Sequence, residues 1–128
     1  MFETNMEISY VAYLLMFNGL YDILSSVLLI FQHKGPHRMM YVFPPDDPAV
    51  LRFMGYWIFT YGWIRLLCGM LWSNDKTIHY LAISSYIIEA VGFEYELYKE
   101  QSLSRKIVAC VTALCLLIII FIHKFNIA

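Results

Sequence analysis

Charged side chains interrupt the apolar runs of this sequence at Asp22, Arg65, Glu89 and Glu96, with Arg52 at the edge of a run. A carboxylate held in hydrocarbon stays close to neutrality and can exchange protons, so Glu89 could serve as an acid or base, with His79 or Tyr86 assisting. The same residues have a plainer use. A charge in a membrane segment is costly, turns toward protein and takes a partner, and such pairs hold helices together. No other chemistry is legible. His33 and His37 are four residues apart, but Gly35-Pro36 between them breaks the helix that would align them on a metal. His79 and His123 have no neighbour at ligand spacing, and the chain has no phosphate-binding glycine loop, nucleophile elbow or Cys-x-x-Cys. No cofactor, metal or catalytic residue is therefore expected.

The elements that must position these charges are helices in a membrane. Of the 128 residues, 60% are hydrophobic and 15% charged, whereas soluble domains carry about 25% charged residues. Four apolar segments, about 8–31, 49–72, 78–97 and 107–122, approach the roughly 20 residues a bilayer requires. The expected fold is all-α: one transmembrane domain over residues 1–128, a bundle of four membrane helices. Cys68, Cys110 and Cys115 all lie inside these segments, as small apolar side chains rather than a disulfide framework. The net charge of −1 and the lack of a basic patch argue against a nucleic-acid partner. Asp46 or Asp47 followed by Pro48 reads as the start of the second helix. Met39–Phe43 is apolar enough to lie at the membrane interface. Lys34, Arg38, Arg52, Lys99, Arg105 and Lys106 fall on the side of the first and third connections, against Lys76 and Lys124 on the other. That asymmetry puts the first and third connections in the cytosol or matrix and both termini across the membrane.

Spacing then suggests which faces meet. Gly55, Gly62 and Gly69 recur every seven residues and make a groove that lets another helix come close. Arg65 shares that face. The first segment carries Asn18, Asp22 and Ser25 at helical spacing, and the third carries Ala82, Ser85, Glu89, Gly92 and Glu96 along one stripe. The short connection after Trp72 makes the second and third segments an antiparallel hairpin. Arg52 then lies level with Glu96, as an expected ion pair. Arg65 and Glu89 are offset by about five residues, roughly 7.5 Å along the axis. Side chains lean toward their own helix N-terminus, so in an antiparallel pair these two lean together. An intramembrane Arg65–Glu89 pair is expected, with Asp22 at similar depth as a third member.

One stretch also carries a resemblance. Gly55-x-Trp57, Ile64-Arg65 and Cys68, Lys76-Thr77 with His79-Tyr80, and finally Gly92 and Glu96-Leu97 occur in an order and spacing that resemble the small membrane scaffold family of ergosterol biosynthesis, over residues 52–97. The resemblance implies a non-catalytic protein of four transmembrane helices in the endoplasmic reticulum, tethering the sterol C-4 demethylation enzymes, with Arg65 and Glu96 as structural positions. The expected function is a non-enzymatic membrane scaffold whose partners are other integral membrane proteins and lipids such as a sterol or cardiolipin. Two alternatives stand beside it: an accessory subunit of a mitochondrial inner-membrane complex such as ATP synthase or a respiratory complex, and a sterol-handling membrane enzyme.

Overall fold

Helix boundaries follow from local signals. The computed structural model describes residues 2–42, 45–73, 75–100 and 103–127, with the side chains of all but residues 2–9, 100 and 125–127. Long helices dominate: α1 (Phe2–Gln32), α2 (Pro48–Met70), α3 (Lys76–Glu100) and α4 (Arg105–Ile127). Asp47 starts α2, its carboxylate accepting a 2.9 Å bond from the Ala49 N–H, with Pro48 in the first turn where its missing N–H costs nothing. Asp75 does the same for α3 by accepting from the Thr77 N–H at 2.9 Å. At the end of α2, Trp72 stacks on His79 with ring centroids 4.3 Å apart, and the His79 Nε2 lies 2.7 Å from the Ser73 carbonyl. These contacts close the α2–α3 turn.

The molecule is all-α, and two of its helices are long and apolar enough to cross a membrane: Tyr10–Gln32 of α1 and Arg105–Lys124 of α4. α2 and α3 have the length, at 23 and 25 residues, but Gly, Trp, Tyr, Ser and charged residues dilute their hydropathy. They fall short of the mean hydropathy that α1 and α4 reach.

The glycine face of α2 packs on α1, which is its principal neighbour; α3 touches α2 much less. A Cβ on Gly62 would stand 2.8 Å from the Asp22 Cβ and 3.0 Å from the Gly19 carbonyl oxygen. A Cβ on Gly69 would meet the Ala12 carbonyl at 2.7 Å, and one on Gly19 would meet the Gly62 carbonyl at 2.6 Å. The two backbones are therefore in contact. Against α3 the separation is wider, because the Trp57 ring lies between and would stand 2.9 Å from a Cβ on Gly92. Two apolar clusters fill the interior. Leu29, Met40, Leu51, Ile58, Phe93 and Val108 form one toward the first and third connections. Val11, Leu15, Cys68, Tyr86 and Ile122 belong to the other. Between them lies a polar layer at the level of Asp22, Arg65 and Glu89.

The first connection is largely exposed but sinks two side chains, His37 and Met40, into the bundle. His33 (φ 54°) and Gly35 (φ 107°) reverse the chain, and the Lys34 N–H donates back to the Leu28 carbonyl in a Schellman-type ending. Gly35 then lies against Leu28 and the Ser25 carbonyl, so the chain runs back along α1. Of the apolar stretch assigned to the interface, Met39 and Val42 are exposed and Met40 is buried in the core; Phe43 lies outside the described residues. Burying Met40 is affordable because the backbone around it is paired: its carbonyl accepts from the Ser104 N–H at 2.7 Å, Tyr41 bridges Leu103, and the Tyr41 hydroxyl donates to the Met54 sulfur at 3.1 Å. The first and third connections thus meet on one side of the bundle.

The glycine contacts rank themselves. Gly19→Ala drives a methyl into α2 backbone, which cannot rotate away, and is expected to cost about 1–3 kcal/mol. Gly55→Ala meets first the Ile30 side chain, which can, and is expected to cost less. Thermal loss of the monodisperse peak in mild detergent measures both, and equal damage at the two positions would contradict the backbone-contact reading.

Candidate functional site

The polar layer is built around one guanidinium. Arg65, 1% exposed, projects from the middle of α2. Its Nη1 donates to Asp22 Oδ2 of α1 at 2.7 Å and to Glu89 Oε1 of α3 at 2.9 Å. Its Nε donates to Ser85 Oγ at 3.1 Å and its Nη2 to the Ser85 carbonyl at 3.3 Å. The two flat faces are covered by aromatics: Cζ stands 3.7 Å from the Tyr86 ring centroid and 4.4 Å from that of Tyr61. Arginine suits this position because its planar cation donates at the edge and stacks on the face. α4 joins through Cys115, whose thiol donates to Glu89 Oε2 at 3.3 Å. The Tyr86 hydroxyl donates to Asn18 Oδ1, a second tie between α3 and α1.

Asp22, Arg65, Ser85 and Glu89 of the sequence reading therefore meet at one point. Gly62 makes room for the meeting, since it faces the Asp22 Cβ. Gly55, Gly69 and Gly92 are packing positions away from the charges. Arg52 and Glu96 do not meet. Both are exposed, and the ion pairs among the described residues are those of Arg65. The level arithmetic took no account of Trp57, whose ring lies between α2 and α3 at Gly92, about one turn from these residues. Glu94, off the α3 stripe, accepts a 2.8 Å bond from the Thr112 hydroxyl of α4. His79 is fixed at the α2–α3 turn, ten residues from Glu89 and so roughly 15 Å along the helix, too far to assist it.

Sequence reasoning passed over three participants. Tyr61 lies four residues before Arg65, on the same helix face, and that spacing was a usable signal. Cys115 carried none, because nothing in α4 marks one apolar position above another. His37 carried none either: its place beside the layer depends on the reversal at His33 and Gly35. It is buried, its Nδ1 has no hydrogen-bond partner, and burial pushes the imidazole down to about 4. Glu89 opposes that shift and Arg65 adds to it.

Chemically the layer is a strut. A guanidinium does not give up its proton, and both carboxylates are engaged with it. The Cys115 thiol donates to a carboxylate, which holds it as a thiol rather than a nucleophile. Among the described residues no group of three His, Cys, Asp or Glu is placed to hold a metal.

A protein family described as "Erg28 like protein" matches residues 11–120. The chain belongs to the Erg28-like family. The match reaches well beyond residues 52–97, and takes in most of α1, with Asp22, and most of α4. Erg28-like proteins are membrane-associated scaffold or accessory proteins of sterol biosynthesis, and the match lends no support to the mitochondrial alternative. No curated protein and no solved structure matches the chain.

Two outcomes test this site. Arg65→Leu leaves two buried carboxylates without a cation and is expected to cost about 3–5 kcal/mol. Combining it with Asp22→Asn and Glu89→Gln removes the stranded charges and should recover much of the loss. Chemical unfolding in detergent micelles measures this, and a triple variant worse than Arg65→Leu would refute the strut. The second outcome concerns pH. His37 stays neutral in the folded chain below its ordinary value of 6.5. As pH falls from 6.5 toward 4, the unfolded chain takes up a proton that the folded chain refuses, so stability declines across that window and this contribution flattens below it. His37→Gln should show a shallower decline between pH 7 and 5 in the same unfolding assay.

Proposed function

We propose that this protein is a non-catalytic scaffold of the endoplasmic-reticulum membrane. In this reading four helices cross the bilayer, the first and third connections face the cytosol, and sterol-biosynthetic membrane enzymes, those of C-4 demethylation among them, assemble on the outer faces. The family match over residues 11–120 carries the proposal.

The geometry supports it in two respects. First, the charges at the centres of α1, α2 and α3 are consumed internally, which favours α2 and α3 sitting in a membrane despite their composition: Asp22 and Glu89 face Arg65 rather than lipid, and the exposed Arg52, Glu94 and Glu96 lie toward the helix ends. Second, the exterior is apolar and aromatic. Phe53, Tyr56, Phe59, Trp63 and Met70 line the outside of α2, and Leu116, Leu117 and Ile120 the outside of α4. Such faces suit lipid and other helices. The pairing of Met40 with Ser104 and of Tyr41 with Leu103 puts the basic connections together, in keeping with a single cytosolic side.

Purification of the tagged full chain from native membranes in mild detergent tests the proposal. Sterol C-4 demethylation enzymes are expected to travel with it, and Arg65→Leu should lose them along with the fold. Co-migration with an oxidative-phosphorylation complex would overturn the localisation. Turnover of a sterol by the pure protein, abolished in Glu89→Gln, would overturn the non-catalytic reading.

A further inference from the structure

A gap runs down one side of the bundle. α1 and α4 barely touch, whereas α1 packs closely on α2 and α3 on α4. The gap holds a cavity of about 310 Å³, within the range of small-ligand sites. At its inner end are Asp22, Glu89 and His37; on its α4 side are Val111, Leu114 and Ile118. Tyr21 and Leu114, at the mouth, are 52% and 59% exposed, so the cavity opens to the outside of the bundle, where lipid lies. A second space of about 330 Å³ continues along the same groove, walled by Leu14, Leu117 and Phe121 and sharing Leu114 and Ile118. From Asp22 back to Leu14 is roughly 12 Å along α1. One end of the groove is polar and the rest is hydrocarbon.

The polar end sets the headgroup. Asp22 and Glu89 already engage the Arg65 guanidinium, so an entering phosphate or carboxylate meets carboxylate oxygens and a cation whose donors are taken. An ammonium offers donors alone and loses its hydration on entry at high cost. A hydroxyl needs no counter-ion. Its proton can go to a carboxylate, and it can accept from or donate to the His37 imidazole, which lines the cavity and whose buried, unpartnered Nδ1 a turn of the ring would present to it.

We propose that the α1–α4 groove binds a lipid with a neutral hydroxyl head, the hydroxyl between His37 and the Asp22–Glu89 pair and the hydrocarbon along Leu114, Ile118 and Leu14 toward Phe121. This site does not depend on the scaffold reading: a scaffold without a lipid site and a lipid site without scaffold activity are both physically coherent.

Photolabelling of the full chain in nanodiscs tests it. The probes are diazirine-bearing cholesterol, hexadecanol, palmitic acid and hexadecylamine. The two alcohols are expected to label the 107–121 segment of α4 saturably, with competition by the unlabelled alcohol. The acid and the amine are expected to give non-saturable labelling. Preference between the alcohols distinguishes a ring-bearing lipid from a straight-chain one, and either supports the site. Leu114→Trp fills the mouth from an exposed position and should abolish saturable labelling in a chain that stays monodisperse. His37→Leu should weaken it about tenfold, the worth of one hydrogen bond to a polar partner. His37→Asn, which restores a polar atom near Nδ1, should recover most of that loss, as a merely space-filling role would not. Saturable labelling by the acid or amine equal to that by the alcohols, indifference to Leu114→Trp, or no saturable labelling at all would overturn the proposal.

Discussion

A guanidinium without water must be met on every side, and the arrangement of α1, α2 and α3 follows from that demand. Arg65 has an edge of donors and two π faces. Satisfying it requires acceptors from two neighbouring helices and aromatic cover above and below. Only one rotation of each helix provides this. Turning α1 by one residue, about 100°, carries Asp22 out of reach, and a similar turn of α3 removes Ser85 and Glu89 together. A nonpolar core of the same volume would hold the helices about as strongly but would tolerate several rotations. The charge contributes uniqueness more than strength.

The close approach of α1 and α2 follows from the same geometry. Aspartate is short, and Arg65 reaches Asp22 because the helix backbones touch. That contact is possible only where Gly19 faces Gly62 and where Gly69 faces Ala12 and Met16. Where the partner side chain is longer the helices stand apart. Glu89 reaches farther than an aspartate, and the α2–α3 spacing is set by an indole, Trp57 over Gly92. Small residues on one side of α2 and a large ring on the other thus match the two lengths of carboxylate that Arg65 must meet.

Much of this was legible in the sequence. Axial position is arithmetic on helix rise, so the depths of Arg65, Glu89 and Asp22 came from residue numbers, and the lean of side chains toward helix N-termini brought them together. Asp47-Pro48 wrote its own helix start. Lateral arrangement was harder. The seven-residue glycine repeat announced a close partner without saying which helix it was; the structure makes it α1. Arg52 and Glu96 match in depth by residue number yet do not pair, and no rule of spacing gave the Trp57 ring that lies between α2 and α3 at Gly92. Hydropathy marks α1 and α4 as apolar enough to span and does not mark α2 and α3, because a run of Trp, Tyr and Gly reads as apolar in outline while its hydropathy stays modest. The path of the first connection was written in two backbone conformations, of which glycine at 35 is a common signal and histidine at 33 is not.

The fourth helix stands outside the strut. Its tie to the polar layer is a thiol on a carboxylate, a weak donor compared with the arginine, and its edge toward α1 is open. The reversal at His33 and Gly35 adds to that opening, since it brings the first connection back against the bundle and seats His37 beside the polar layer without giving its Nδ1 a partner. Polar groups in such a position cost stability unless something supplies their hydrogen bonds. A chain selected only for a closed bundle would fill the gap with an apolar side chain from α4 and place the loop in water. Here the three helices that need the arginine are tightly fixed, and the side they leave open combines carboxylates, an imidazole and a hydrocarbon wall. Rigidity on one side and an unfilled amphipathic groove on the other both follow from placing a single cation at the centre of α2 between a carboxylate of α1 and one of α3.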